Sequence, residues 1–251
     1  VQALILCGGR GIRAWPATAE VPKPMLAIGD RPVLHHVMDI YALQGVKRFV
    51  LAAGYRRKAI ERYAESMPAE WTVDVVDTGD DTDTGDRVRG CLDRMDETFF
   101  LTYGDGLGDV DLDALVACHH EHGGDATVTV VPLPSQYGTL DVTADDRVSA
   151  FREKPQLTDH LINAGFFVIE RDSLGLADGP SLERDVLPAF SRRERLFVYR
   201  HNGFWRSMDT HKDIAELEQL ATREGTPWLP RPTSPASASS SQAPRASSAR
   251  T

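Results

Sequence analysis

Short apolar runs alternate with amphipathic segments along most of this chain, and no other feature limits its fold as strongly. Residues 3–7 form an apolar run that ends at Gly8 and reads as a buried strand. Residues 32–43 carry Val33, Leu34, Val37, Ile40 and Tyr41 at helical spacing. Strands are predicted at 48–53, 71–76, 98–102 and 126–131, with helices at 56–67, 87–95 and 111–122. This β-α-β-α rhythm predicts an α/β fold with a mostly parallel sheet covered on both faces. The later part is richer in strands, at 139–142, 148–152, 161–169 and 195–199, with helices at 181–190 and 210–221.

A chain of 251 residues suits one large α/β domain, here predicted over 1–229. From Pro230 the composition falls mainly to Pro, Ser, Ala and Arg, without an acidic or aromatic residue. Such a segment buries too little apolar surface to offset chain entropy, so 230–251 reads as a disordered tail. The formal net charge of −9 disfavours a nucleic-acid partner, which selects for Lys and Arg excess. It leaves room for a nucleotide site, where a few cations suffice. Cys7, Cys91 and Cys118 form no CxxC pair, so a disulfide framework is not expected and a reducing cytoplasm fits. No apolar run reaches membrane-spanning length, and the first residues lack a signal-peptide pattern. Val1 in place of Met reads as a trimmed start.

The first strand runs into Cys7-Gly8-Gly9-Arg10-Gly11-Ile12-Arg13. Glycines after a buried strand let backbone N–H groups approach phosphates closely. The loop lacks the Gly-Lys-Ser/Thr ending of a Walker A loop and is not GxGxxG. By itself it could be a structural turn. Arg13 adds a fixed cation, and Lys23 follows on a segment that Pro24 holds extended. Two cations beside a glycine cradle suit a triphosphate whose end departs as pyrophosphate.

Gly8-Gly9-x-Gly11-x-Arg13 followed by Lys23-Pro24-Met25-Leu26 resembles the signature of the sugar-1-phosphate nucleotidyltransferases. Val76-Asp77-Thr78-Gly79, Thr84-Gly85-Asp86-Arg87 and Thr102-Tyr103-Gly104-Asp105-Gly106 are most similar to bacterial glucose-1-phosphate cytidylyltransferases. So are Phe151-Arg152-Glu153-Lys154-Pro155, Ile162-Asn163-Ala164-Gly165-Phe166-Phe167 and Phe204-Trp205-x-x-Met208-Asp209-Thr210. The resemblance spans about residues 2 to 228, with the motifs in the same order. It implies a Rossmann-like three-layer α/β/α sandwich with a strand-rich sugar-binding portion. It also implies transfer of a nucleotidyl group, CMP from CTP foremost, to a sugar 1-phosphate.

The resemblance distributes roles by residue. Arg13, Lys23 and Lys154 would be catalytic. Leu6, Gly8, Gly9, Gly11, Thr78, Gly79, Thr84, Gly85, Arg87 and Gly104 would bind the nucleotide. Gly138, Glu153, Asn163, Gly165 and Trp205 would line the sugar pocket, although Trp205 could equally be core. Asp105 and Asp209 would hold magnesium, which prefers one or two carboxylates plus phosphate oxygens. Read alone, Asp105 could serve an Asx-turn and Asp209 a helix N-cap. Arg87 could address N3 or O2 of cytosine, or merely open a helix at the surface.

Other clusters carry less. Asp77, Asp80, Asp81, Asp83 and Asp86 fail the EF-hand pattern and read as a solvated loop. His119, His120 and His122 lie near a helix end without an HExxH motif and read as dipole partners, not metal ligands. Three departures from the family pattern stand out: Ile12 where Thr is common, a shorter stretch before Val76, and the Pro-rich tail. The shorter stretch removes a basis for the family's oligomer contacts, so a homo-oligomer is left open. A non-catalytic binding module is the competing class, against which Arg13, Lys23, Asp105, Lys154 and Asp209 argue. A dinucleotide oxidoreductase lacks its fingerprint here.

Overall fold

A computed structural model describes residues 1–230 of the chain. β1 (Ala3–Leu6) leads through the glycine loop and three 3₁₀ turns to a small corner of β2 (Ala27–Ile28) and β3 (Arg31–Pro32). Then come α1 (Val33–Ala42), β4 (Arg48–Ala53), α2 (Arg57–Ala64), β5 (Thr72–Asp77) and α3 (Thr84–Arg89). β6 (Thr98–Tyr103), β7 (Gly106–Gly108), α4 (Leu112–His122) and β8 (Ala126–Pro134) follow. The strand-rich portion holds β9 (Thr139–Val142), β10 (Val148–Arg152) and β11 (Gln156–Glu170). A π-helical turn (Leu182–Val186) continues into α5 (Leu187–Arg192), before β12 (Leu196–Arg200), β13 (Trp205–Ser207) and α6 (His211–Glu224).

The main sheet has the order β12-β8-β11-β6-β1-β4-β5. β11 runs antiparallel to β6 and β8, and the remaining neighbours are parallel. Alternate residues along each strand face opposite sides. Ala3, Ile5, Phe49, Leu51 and Phe100 pack with Leu34 and Val37 of α1, Leu115 of α4 and Leu217 of α6. Leu4, Leu6, Val50, Ala52, Phe99 and Leu101 pack with Val88 of α3, Leu182 and Val186 of the π turn, and Phe190 of α5. Two separate apolar cores flank one sheet, which makes three layers. Trp228, two residues before the last described residue, is fully buried against the first core. Residues 231–251, nearly all of the expected tail, lie outside the described residues.

Two helices differ from expectation for local reasons. The helix expected at 87–95 starts earlier, because the Asp83 side chain accepts from Thr84 N and caps it there. It stops at Arg89, with Gly90 as C-cap, and a separate 3₁₀ turn follows over Leu92–Arg94. The helix expected at 181–190 changes pitch, because Pro188 has no N–H to continue the hydrogen-bond ladder. β11 begins before residue 161, since its first half pairs with the far end of β8, and β9 and β10 form a hairpin beside it. Among the described residues no helix is long and apolar enough to cross a membrane.

Candidate active site

The order of strands places the site. After β1 the chain adds β4 and β5 on one side, then returns to place β6 on the other. The loops leaving β1 and β6 therefore part at their carboxyl ends, where open α/β sheets form a crevice. A cavity of about 390 Å³ opens there, lined by Leu6, Cys7, Gly8, Tyr103, Gly104 and Asp105, with Lys23 and Arg87 at its sides. A neighbouring cavity of about 480 Å³ continues it, sharing Gly9, Gly11, Lys23, Thr82, Asp83 and Arg87.

The glycine loop is shaped for close approach. Gly11 has φ +62°, and a Cβ there would also lie 2.7 Å from Lys23 Cβ. At Gly8 a Cβ would occupy the space of the Arg87 guanidinium, while Gly9 faces open space. Arg13 has its backbone in the turn Ile12–Ala14, and its side chain lies outside what the structure describes.

Lys23 stands at the centre. Its ammonium donates to Asp105 Oδ2 at 2.5 Å and to Asp209 Oδ1 at 2.8 Å, with only 11% of the side chain exposed. Burial pulls the lysine pKa down, but the two carboxylates outweigh it and hold it above the ordinary value. The two aspartates come from different parts of the fold and are aligned by a ribbon. β7 follows Asp105, β13 precedes Met208 and Asp209, and the two strands pair antiparallel. Met208 N donates to Asp105 O at 2.9 Å. The Asp105 side chain therefore faces Lys23 instead of closing a turn. Asp209 is not the cap of α6, because Thr210 and Asp213 form that capping box. Ser207 Oγ donates to Asp209 Oδ2 at 3.0 Å.

Two carboxylates converging on one cation are a donor set that suits a hard divalent ion completed by phosphate oxygens. Among the described residues no group of three or more His, Cys, Asp or Glu is placed to hold a metal. His119 is instead buried, bonded to Thr127 Oγ1 at 2.9 Å and Glu170 Oε1 at 3.0 Å. Cys7 and Cys91 are buried free thiols whose pKa values burial pushes up, so neither is an activated nucleophile.

Arg87 lies directly against the glycine loop at Gly8. The chain buries it, and its Nη1 donates to Thr78 Oγ1 and to Gly79 O (3.0 Å), while Nη2 donates to Thr82 O at 2.7 Å. Arg87 thus shapes the 78–82 loop from within. Nε and the second Nη2 proton have no such partner among the described residues. The acidic run beside it is not simply solvated. Asp77 pairs with Arg57, Asp81 with Arg10, Asp83 with Arg184 and Asp86 with Arg89.

The sugar-side candidates fall into two groups. Asn163 Nδ2 donates to Tyr103 OH at 3.3 Å and Asn163 Oδ1 accepts from Gly165 N at 2.8 Å. Gly165 lies against the Tyr103 ring, and half-buried Trp205 donates to Ala164 O at 2.8 Å. This group adjoins the cleft through Tyr103. Gly138 and Glu153 meet on the β9–β10 hairpin, where Lys154 is also more than half exposed. Among the described residues no hydrogen bond or ion pair joins that second group to Lys23 or Asp105.

Glu183, which the sequence reading treated only as part of a helix, links both sides. Its carboxylate accepts from Tyr103 OH at 2.5 Å and Thr84 Oγ1 at 2.6 Å. Thr84 Oγ1 also accepts from Leu182 N at 2.9 Å, and Asp86 N donates to Pro180 O at 3.0 Å. Gly85 packs against the Pro180 carbonyl. Burial and the Glu183 charge hold the Tyr103 phenol well above its usual pKa. No linear signal connects residues so far apart in the chain.

The chain resembles known proteins along most of its length. The nucleotidyl transferase family profile matches residues 2–224. Glucose-1-phosphate cytidylyltransferase of Salmonella typhimurium is 35% identical, covering 91% of this chain and 98% of that protein. A probable glucose-1-phosphate cytidylyltransferase of Bacillus subtilis is 36% identical, covering 91% and 99%. The crystal structure of HddC from Yersinia pseudotuberculosis has a similar fold, with TM-score 0.69 at 22% identity, covering 87% of this chain and 98% of that one.

Proposed function

Because this chain belongs to the nucleotidyl transferase family, we propose that it transfers CMP from CTP to a sugar 1-phosphate, releasing pyrophosphate. The observation that carries the reading is the meeting of Asp105, Lys23 and Asp209 beside the glycine loop, where β1 and β6 part. The sugar phosphate oxygen forms a bond to the α-phosphorus of CTP as that phosphorus loses its bond to the pyrophosphate oxygen. The attacking oxygen is already anionic, so no side chain need act as a general base. The chain's contribution is positioning and charge neutralisation. The backbone at Gly8, Gly9 and Gly11, with Arg13, holds the departing pyrophosphate. Lys23 neutralises the α-phosphate, and Lys154 orients the incoming sugar phosphate. Magnesium held by Asp105 and Asp209 would supply further neutralisation of phosphate charge. Glu153, Gly138, Asn163, Gly165 and Trp205 are assigned to the sugar ring.

Base choice is assigned to the loop that Arg87 supports, with Thr78, Gly79, Thr84 and Gly85. Cytosine offers an N4 amino donor and bare N3 and O2 acceptors. The free Arg87 protons can meet N3 or O2, and backbone carbonyls near Gly79 or Gly85 can accept from N4. Uracil would set its N3–H against a protein N–H. A buried unmatched donor costs about 1–3 kcal/mol, or roughly 10- to 100-fold in selectivity. The test is pyrophosphate release with CTP, UTP, dTTP, ATP and GTP at a fixed concentration of glucose 1-phosphate. The expected result is the highest kcat/KM with CTP. UTP or dTTP matching CTP would overturn the base assignment, and no pyrophosphate with any triphosphate would overturn the enzymatic reading. Other sugar 1-phosphates in the same assay identify the acceptor.

A further inference from the structure

We propose that Arg10 is a further triphosphate-binding residue, held across the mouth of the cleft by Asp81 until a nucleotide displaces that carboxylate. The proposal rests on the reading of the cleft as a nucleotide site. Arg10 lies between Gly9 and Gly11 on the phosphate-facing loop, and Asp81 lies on the opposite wall, between β5 and α3. Arg10 Nη2 is 2.9 Å and Nε 3.3 Å from the same oxygen, Asp81 Oδ1. Both residues line the larger cavity together with Gly11 and Lys23. The ion pair therefore spans the space a triphosphate would enter.

Stability does not account for this pair. Arg10 is 47% and Asp81 83% exposed at the side chain, and ion pairs so exposed contribute little and are screened by salt. The geometry is also incomplete for a guanidinium. Two donors share one carboxylate oxygen, whereas a phosphate group offers the fork two oxygens side by side. The local charge explains why an arginine is needed. Asp80, Asp81 and Asp83 all line this cavity, and a triphosphate entering it meets three carboxylates. Arg10 offsets that repulsion and is at hand for the ligand. The Arg10 guanidinium lies over the Tyr55 ring, 5.2 Å from the ring centroid, and Arg56 lies over the same ring at 5.4 Å. That ring keeps Arg10 at the cleft mouth. Because the Arg10 backbone already belongs to the loop, side-chain rotation alone moves the cation from Asp81 to the ligand.

The two partners should therefore act with opposite sign. Equilibrium binding of a non-reacting α,β-methylene analogue of CTP, and of CMP, is measured on the full chain without sugar. Arg10→Met should weaken the triphosphate analogue about 10- to 100-fold, the scale of losing charge-assisted hydrogen bonds, with CMP binding within about twofold of the parent. Asp81→Asn should tighten the analogue about two- to fivefold, by releasing Arg10. In the Arg10→Met background the Asp81 change should have no such effect. Both single variants weakening the analogue alike would overturn the proposal, because the pair would then only brace the loop. An unchanged preference for the analogue over CMP in Arg10→Met would also overturn it. Failure of the parent chain to bind any triphosphate would overturn the nucleotide-site reading as well.

Discussion

The Lys23 ammonium bridges Asp105 and Asp209, the pair proposed to hold a divalent ion. Its raised pKa has a definite consequence for stability. The contribution is fully present below the ordinary lysine value and is lost as pH rises through the higher folded value, so it persists throughout the neutral range. Lys23→Met removes the cation that half-buried Asp105 and Asp209 share and is expected to cost roughly 2–4 kcal/mol in the absence of metal. Magnesium should raise the unfolding midpoint of this variant more than that of the parent. Equal shifts in thermal scans would place the ion elsewhere. Asp105→Asn and Asp209→Asn retain shape but remove charge, and each should lower turnover by ~10²-fold or more. Turnover within a few-fold of the parent would remove that residue from the metal site. Asp105 and Asp209 were legible in the sequence only through family resemblance. Their immediate neighbours equally suit an Asx-turn and a helix cap, and only the fold shows that both side chains meet Lys23.

The β7–β13 ribbon determines how far apart the two aspartates stand, and its outer end is fastened by a tight corner. Asp109 N donates to Phe204 O at 3.2 Å, and His201 Nε2 lies 3.1 Å from Asp109 Oδ1 and 3.0 Å from Phe204 O. His201 N donates to Val130 O at 2.9 Å, which ties the corner to β8. A Cβ on Gly203 would come within 2.3 Å of Asp109 Oδ1 and 2.7 Å of His201 Cε1. Gly203→Ala must therefore displace the corner and with it the ribbon. The expected outcome is an increase of about 10-fold in the magnesium concentration giving half-maximal turnover, with KM for CTP little changed. A change in KM for CTP alone, from a magnesium titration at several CTP concentrations, would count against this role. The long helices and central strands were readable from hydrophobic period. The ribbon was not, because its strands are short and pair across a large sequence separation.

At the scale of the whole molecule, two apolar cores enclose one sheet, and the chain packs onto the first as far as Leu229. The Pro- and Ser-rich segment beyond it is expected to add nothing to that packing. A chain ending at Pro230 should keep its unfolding midpoint and its turnover. A large loss of either, measured side by side with the full chain, would show that 231–251 docks on the domain. The sequence by itself determined the alternation of strands and helices and the glycine loop after β1, and its motifs pointed to the family. These signals are local: side-chain period reports which face is buried, and glycine reports backbone space. Only the tertiary structure decided that Glu183 joins Thr84 to Tyr103, that Arg87 is buried beneath the loop it supports, and that Arg10 meets Asp81 across the cleft. Each of those contacts depends on strand order and on the packing of segments distant in the chain. A linear pattern specifies which faces must be buried, but the sheet determines which residues meet there.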